Sequence, residues 1–464
     1  MNPMRVPRVL RTITALCLAA ALGACSSVRP WINEPMREAS TTAPTLLMSG
    51  RDPAILVAVT LSGGGARAAA FGYGVLSELK RTRFEWGGRE HNLLDATDVI
   101  SGVSGGSILA AYYAAFGVDG LANFERDFLR QNFQNSLITQ TLQPSHLVEL
   151  TSPWFGRSQL LARRLDLLYQ GKTFADIERD PRHPQLVISA TDMSLGTSFE
   201  FTAEQFELIC SDLQSVPLSL AVAASSAVPL ALSPVTLRNY AADCSERGIS
   251  PQQREGRGGN YRARMYRTQE ASYLDGKRRP YIHLVDGGLA DNLGVRLLLD
   301  RTLAGGGLRK SISELGIPAG SVQKLVLITV NSSRDPATNI DLMDSVPGPI
   351  EVADALLFGA GERATVETQE FLADITRQWR NELKTRRADG QVDAFAENAE
   401  VHVVQANLRD AAEGELRRTL LQVPTAFSIT NAEVTRLIEA GRNVLLRSPE
   451  FQALKRSLNA SADH

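Results

Sequence analysis

Ser104 lies in Ser101-Gly102-Val103-Ser104-Gly105-Gly106-Ser107, a Gly-x-Ser-x-Gly run between an apolar stretch that reads as a strand and one that reads as a helix. A serine held on a sharp strand-to-helix turn is a candidate nucleophile. Small neighbours let the backbone turn, and the helix that follows aims unpaired N–H groups and a positive dipole at an oxyanion forming there. A second glycine run, Leu61-Ser62-Gly63-Gly64-Gly65-Ala66-Arg67, has the same strand-to-helix placement and can turn successive amides inward as a nest for an oxyanion or a phosphate. Gly63, Gly65 and Ala68 also satisfy a dinucleotide fingerprint. That reading needs an acidic residue closing a second strand about 20 residues on, and Glu85 stands instead in the turn-like Phe84-Glu85-Trp86-Gly87-Gly88. The third candidate is Asp286 in Leu284-Val285-Asp286-Gly287-Gly288, a carboxylate at the C-terminal end of an apolar strand, where α/β proteins build their sites. Its plain alternative is a turn-forming Asp-Gly.

A Ser-His-Asp triad would need a histidine at this same edge. Of the six histidines, His283 lies three residues before Asp286 in one strand, an odd offset that turns it to the opposite face. His91, His146, His183, His402 and His464 sit in polar or terminal contexts without triad spacing. The inventory favours a dyad in which Asp286 takes the Ser104 proton. An aspartate with an ordinary pKa of about 3.9 is a weak base for a hydroxyl, so the site has to raise it. No ligand cluster with calcium or zinc spacing is evident, and neither a metal nor another cofactor is expected.

These residues need a scaffold, and the chain supplies β-α alternation. Short apolar runs predict strands over 55–61, 98–101, 185–191, 281–285 and 324–331, with helices over 66–81, 105–116, 216–227 and 292–303 between them. This pattern predicts an α/β fold with a mainly parallel central sheet flanked by helices. Residues 118–172 are expected to form an inserted helical cap. Residues 246–279, with nine Arg and Lys against four acidic residues, read as a mobile solvated loop, contact with anionic head groups being the alternative. Beyond Pro336 the chain reads as mainly helical and ends in a helix opened by the capping box Thr430-Asn431-Ala432-Glu433.

At the N-terminus, Arg5, Arg8 and Arg11 precede an apolar run over 13–22 that ends in Leu22-Gly23-Ala24-Cys25-Ser26-Ser27. The run is shorter than the roughly 20 residues that cross a bilayer. It resembles a bacterial lipoprotein signal peptide, the alternative being an ordinary secretory signal. The resemblance implies cleavage before Cys25, diacylglycerol on its thiol and, from Ser26 and Ser27, sorting to an outer membrane facing the periplasm. The organisation expected is a signal peptide over 1–24, a tether over 25–50, a catalytic domain over 51–335 and a mainly helical extension of that domain over 336–464. Cys210 and Cys244 remain, as a disulfide or as two buried thiols. The formal net charge of -2 gives no global attraction to nucleic acid, and no such partner is expected; the oligomeric state is left open.

The three chemical blocks, in this order and with Ala224-Ser225-Ser226-Ala227-Val228-Pro229 between the second and third, resemble the patatin-like phospholipase family over roughly 56–331. The resemblance implies Ser104 as nucleophile and Asp286 as base. It implies oxyanion amides at Gly63, Gly64 and Gly65, with Arg67 as the loop's basic residue and Gly105 contributing from behind the serine. The implied reaction is hydrolysis of membrane acyl esters, phospholipid or lysophospholipid first, through an acyl-serine. Ala68, where many members carry glycine, and Ser62, where plant members carry aspartate, depart from the pattern. The same residues would serve an acyltransferase or a thioesterase, and a non-catalytic lipid-binding envelope lipoprotein is the alternative from another class.

Overall fold

The computed structural model describes residues 27–29, 33–37, 51–180, 182–244, 261–334, 341–342, 344–348, 352, 355, 359–385, 392–411 and 413–460. Cys25, the expected signal peptide and residues 246–260 of the arginine-rich stretch lie outside them.

The first strand, β1 (Ile55–Leu61), is buried on both faces, as a central parallel strand must be. It runs into α1 (Gly65–Arg81), and a small hairpin of β2 (Arg83–Trp86) and β3 (Arg89–Asn92) follows. Next come β4 (Val99–Val103) and α2 (Gly105–Gly120), then the inserted helices α3 (Phe133–Thr141), α4 (Pro144–Glu149) and α5 (Arg157–Tyr169). The chain returns through β5 (Gln185–Asp192), β6 (Thr197–Phe201), α6 (Leu218–Ser225), β7 (Val235–Arg238) and α7 (Tyr261–Leu274). After β8 (Tyr281–Val285) stand α8 (Gly288–Asp291), α9 (Arg296–Gly305) and β9 (Val322–Asn331). The C-terminal part holds α10 (Ala360–Lys384), β10 (Phe395–Asn407), α11 (Asn431–Arg447) and α12 (Pro449–Ala460).

The sheet order is β10-β9-β1-β4-β5-β8-β7, with β6 on β5 as well. From β10 to β5 every pairing is parallel, whereas β6 and β8 run antiparallel to β5 and β7 antiparallel to β8. The register explains how the site is assembled. β4 follows β5 until Val103 stands opposite Ser189. β8 arrives from the other direction, with Leu284 opposite Asp192 and Val285 opposite Thr191. β6 occupies the far edge of β5 at those residues, so β8 shares an edge with β4. The next register position from either side is Ala190, and the chain reaches it as Ser104 from β4 and as Asp286 from β8. Two strand ends meeting head on thus bring together residues far apart in the chain.

The C-terminal part is built into the same core. Gly74 of α1 and Gly441 of α11 let the two helices touch, since a Cβ at either would lie within 2.2 Å of a carbonyl oxygen on the other. Leu437, Val444 and Phe451 share one hydrophobic cluster with Phe71 and Val75. Among the described residues no helix is long and apolar enough to cross a membrane.

Two expectations need correction and one gains a detail. The mainly helical region beyond Pro336 also holds a strand, since β10 extends the sheet beside β9. Its first half, Phe-Ala-Glu-Asn-Ala-Glu, is too polar to read as a strand because it lies at a sheet edge, with exposed positions among it. Part of the arginine-rich stretch is helix α7, anchored by buried Ala263, Glu270 and Tyr273. Finally, residues 33–37 are docked rather than tethering. Asn33 is fully buried, its amide donates to Ser211 Oγ and the Arg238 carbonyl, and Pro35 bridges Ser211. That corner contains the Cys210–Cys244 disulfide, whose Cα atoms are 6.0 Å apart.

Candidate active site

Ser104 has φ 48° and ψ -120°, a conformation disfavoured for any residue with a side chain and held by its surroundings. Its N–H donates to Ser225 Oγ at 2.8 Å, and Ser225 Oγ in turn donates to the Ser189 carbonyl at 2.6 Å. A hydroxyl on α6 therefore pins the turn to β5 from below. The same segment also holds the other strand end, because the Asp286 N–H donates to the Ala227 carbonyl and the Gly287 N–H to the Ser225 carbonyl, each at 3.0 Å. The Ala224 to Pro229 block is thus a common seat for both strand ends. Its composition hinted at proximity, while the role of Ser225 could not be read without the fold.

Asp286 is buried, 9% exposed, and so is Ser104, at 6%. Burial pushes the Asp286 carboxyl up from 3.8 to about 6, opposed by hydrogen bonds from the Gly288 N–H and the Ser104 side chain. The Gly288 N–H reaches Oδ1 at 2.8 Å. Desolvation is thus the larger influence, as the chemistry of a basic aspartate requires. His283, on the far face as its offset predicts, bonds Thr236 Oγ1 at 2.9 Å. The contacts of His91, His146, His183 and His402 likewise lie elsewhere. Among the described residues no cluster of His, Cys, Asp and Glu could hold a metal.

The glycine loop lies directly against the serine turn. A Cβ on Gly105 would stand 2.1 Å from the Gly65 carbonyl oxygen and 2.4 Å from its nitrogen, so only glycine permits this approach. Gly64 and Gly65 both have positive φ, 137° and 61°. Gly65 and Gly105 are the first residues of α1 and α2, whose amides have no intrahelical acceptor. Among the described residues, hydrogen bonds engage the N–H of Gly63 and of Ala66 but not those of Gly64, Gly65 and Gly105.

Two expected oxyanion residues are therefore reassigned. The Gly63 N–H is donated to the Asn292 carbonyl at 3.1 Å, so it ties the loop to the segment after Asp286 instead of facing the serine. Arg67 is buried; its Nε donates to the Ser332 carbonyl at 2.9 Å and its Nη1 to the Val423 carbonyl at 2.6 Å. Burial, reinforced by Arg334, lowers its pKa to about 9. It braces the loop from behind, beside Gly64. Asn292 and Ser332 are the loop's missed supports: Asn292 Oδ1 stands beside Gly63 and Gly288, and Ser332 Oγ donates to the Gly63 carbonyl at 2.9 Å.

A buried serine on a strained turn, a desolvated carboxyl nearby and helix-terminal amides of two adjacent loops form an arrangement suited to nucleophilic acyl transfer. Residues 59–299, just over half of the chain, match the patatin-like phospholipase family, and the chain belongs to that family. Among solved structures it is similar to human GIVD cytosolic phospholipase A2, at 12% identity and TM-score 0.45, over 89% of this chain and 61% of that one. It is also similar to VipD from Legionella pneumophila, at 12% identity and TM-score 0.32, over 94% and 73% of the two chains. A third is full-length ExoU of Pseudomonas aeruginosa, in complex with SpcU, at 19% identity and TM-score 0.22, over 43% and 46%. The chain spans about three fifths of the human protein's length. No curated protein matches it.

Proposed function

We propose that this chain hydrolyses acyl esters of membrane phospholipid or lysophospholipid, with Ser104 as nucleophile and Asp286 as its base. The observation that supports the reading is the register of β4 and β8, whose ends bring Ser104 and Asp286 to neighbouring positions, together with a carboxyl that burial makes more basic. Ser104 Oγ attacks the ester carbonyl while its proton passes to Asp286. The oxyanion is received by the amides of Gly64, Gly65 and Gly105, each such donor being worth about 3 kcal/mol in related chemistry. Collapse returns the proton to the leaving alcohol and leaves an acyl-Ser104. Water, deprotonated by Asp286, then releases the fatty acid and restores the serine.

The proposal includes the membrane. Cys25, with its preceding apolar run, supports cleavage and diacylglycerol attachment, and Ser26 and Ser27 support the outer membrane facing the periplasm. A lipid-anchored enzyme meets its substrate at high effective concentration.

The test is product analysis on vesicles of defined phospholipid by mass spectrometry, with Ser104→Ala alongside. Free fatty acid and lysophospholipid, absent with the variant, are expected. Acyl groups found on an added alcohol or lipid acceptor in place of free acid would make the chain a transferase, and no turnover by folded wild type would defeat the catalytic reading.

A further inference from the structure

The helices inserted between α2 and β5 carry an apolar surface that nothing in the catalytic account uses. Ile138 and Leu142, one turn apart at the end of α3, and Val148 of α4 are at least half exposed, and Leu147 and Trp154 are nearly so. α4 is folded back on α3, His146 Nδ1 meeting the Gln140 carbonyl at 2.6 Å. Soluble surfaces rarely gather such side chains without an occupant.

The N-terminal segment identifies the occupant. The Ser152 hydroxyl, one turn beyond Val148, donates to the Val28 carbonyl at 2.7 Å. The Arg29 guanidinium lies 4.2 Å from the centre of the Trp154 ring. Cys25 stands three positions before Val28, a span of at most about 11 Å for extended chain. A lipid on Cys25 would therefore enter the bilayer beside α4 and Trp154. An exposed tryptophan paired with arginine suits the polar-apolar boundary of a membrane, where its ring and the cation both find partners. The inserted helices are also tied to the segment that seats Asp286: Arg157, at the start of α5, donates to the carbonyl of exposed Leu230 at 2.7 Å, and Leu230 is three residues beyond Ala227, whose carbonyl accepts the Asp286 N–H.

We propose that the face formed by Ile138, Leu142, Leu147, Val148 and Trp154 inserts into the membrane around the Cys25 anchor and sets the enzyme's orientation on its substrate. This rests on the lipid-anchored hydrolase reading above. The anchor supplies attachment; the face fixes how the attached protein is oriented on the acyl chains.

The test uses the full lipidated chain in vesicles of phosphatidylethanolamine and phosphatidylglycerol, with and without brominated acyl chains. Trp31 is first replaced by phenylalanine in every protein, and Trp154 emission is then isolated by subtracting that of Trp154→Phe, since Trp86 and Trp379 are buried. The expected result is at least about twofold quenching by brominated chains. Leu142→Ser combined with Val148→Ser should abolish it and slow vesicle hydrolysis about tenfold, leaving hydrolysis of a soluble short-chain ester unchanged. Unquenched Trp154, or vesicle turnover unaffected by the double variant, overturns the proposal. So does a dimer in sedimentation that the double variant dissolves, which would give the face to a second copy of the chain. Failure of the wild type on the soluble ester would instead count against the catalytic reading, and quenching would still decide the docking.

Discussion

Replacing Asp286 with asparagine should make the protein inactive yet more stable, by an amount that depends on pH. The fold holds this carboxyl at about 6, above the 3.8 of an unperturbed aspartate, chiefly by burial. A carboxyl raised on folding favours the fold fully below pH 3.8 and loses that contribution as pH rises through about 6; above that, the ionised form is a burden. The difference corresponds to about 3 kcal/mol. Asparagine does not titrate, its carbonyl can still accept the Gly288 N–H, and its volume is nearly the same. The variant should therefore match wild type in thermal midpoint below about pH 4, gain on it from about pH 4 to 6, and exceed it by about 3 °C at pH 8 for a chain of this length. The assay is thermal unfolding across that range, beside the pH profile of wild-type ester hydrolysis, whose kcat/KM should rise to a plateau through about pH 6. A gain that is constant with pH, or a variant less stable than wild type at pH 8, would refute the claim that the fold holds a desolvated base.

Further outcomes follow from the contacts around the two strand ends. Gly105→Ala places a methyl against the Gly65 backbone, which cannot yield without moving the amides; kcat in ester hydrolysis should fall about 100-fold with KM little changed. Ser225→Ala removes the acceptor of the Ser104 N–H and the donor to Ser189, and should lower unfolding stability by about 1–3 kcal/mol as well as kcat. Reducing the Cys210–Cys244 bond, which closes a 34-residue separation, should lower stability by roughly 2–4 kcal/mol in denaturant titrations.

The sequence displayed the strand-to-helix turns because their signals are local: glycines where backbones touch, and β-branched runs such as Ile55 to Leu61 where both faces are covered. It did not display strand direction. Tyr281 to Val285 would read the same in a parallel strand, and only the pairing of Val285 with Thr191 reveals that β8 approaches β4 from the opposite side. The fate of individual amides was equally hidden. Gly63 looks like its neighbours in the run, yet its N–H goes to Asn292, a partner over two hundred positions away. Arg67 looked like a charge for the site because a basic residue beside a glycine nest invites that reading. Its tasks, set by Ser332 and Val423, exist only once β9 and the C-terminal segment have closed around it. Polar edge strand β10 and helix α7 escaped for a related reason, since long-range packing rather than local periodicity stabilises them.

The most direct test treats the folded protein with an alkyl fluorophosphonate and locates the adduct by peptide mapping. The account predicts one adduct per chain, on the Ser104 Oγ, formed slowly or not at all by Asp286→Asn and never by Ser104→Ala. An adduct on any other serine, or undiminished labelling of Asp286→Asn, would contradict it.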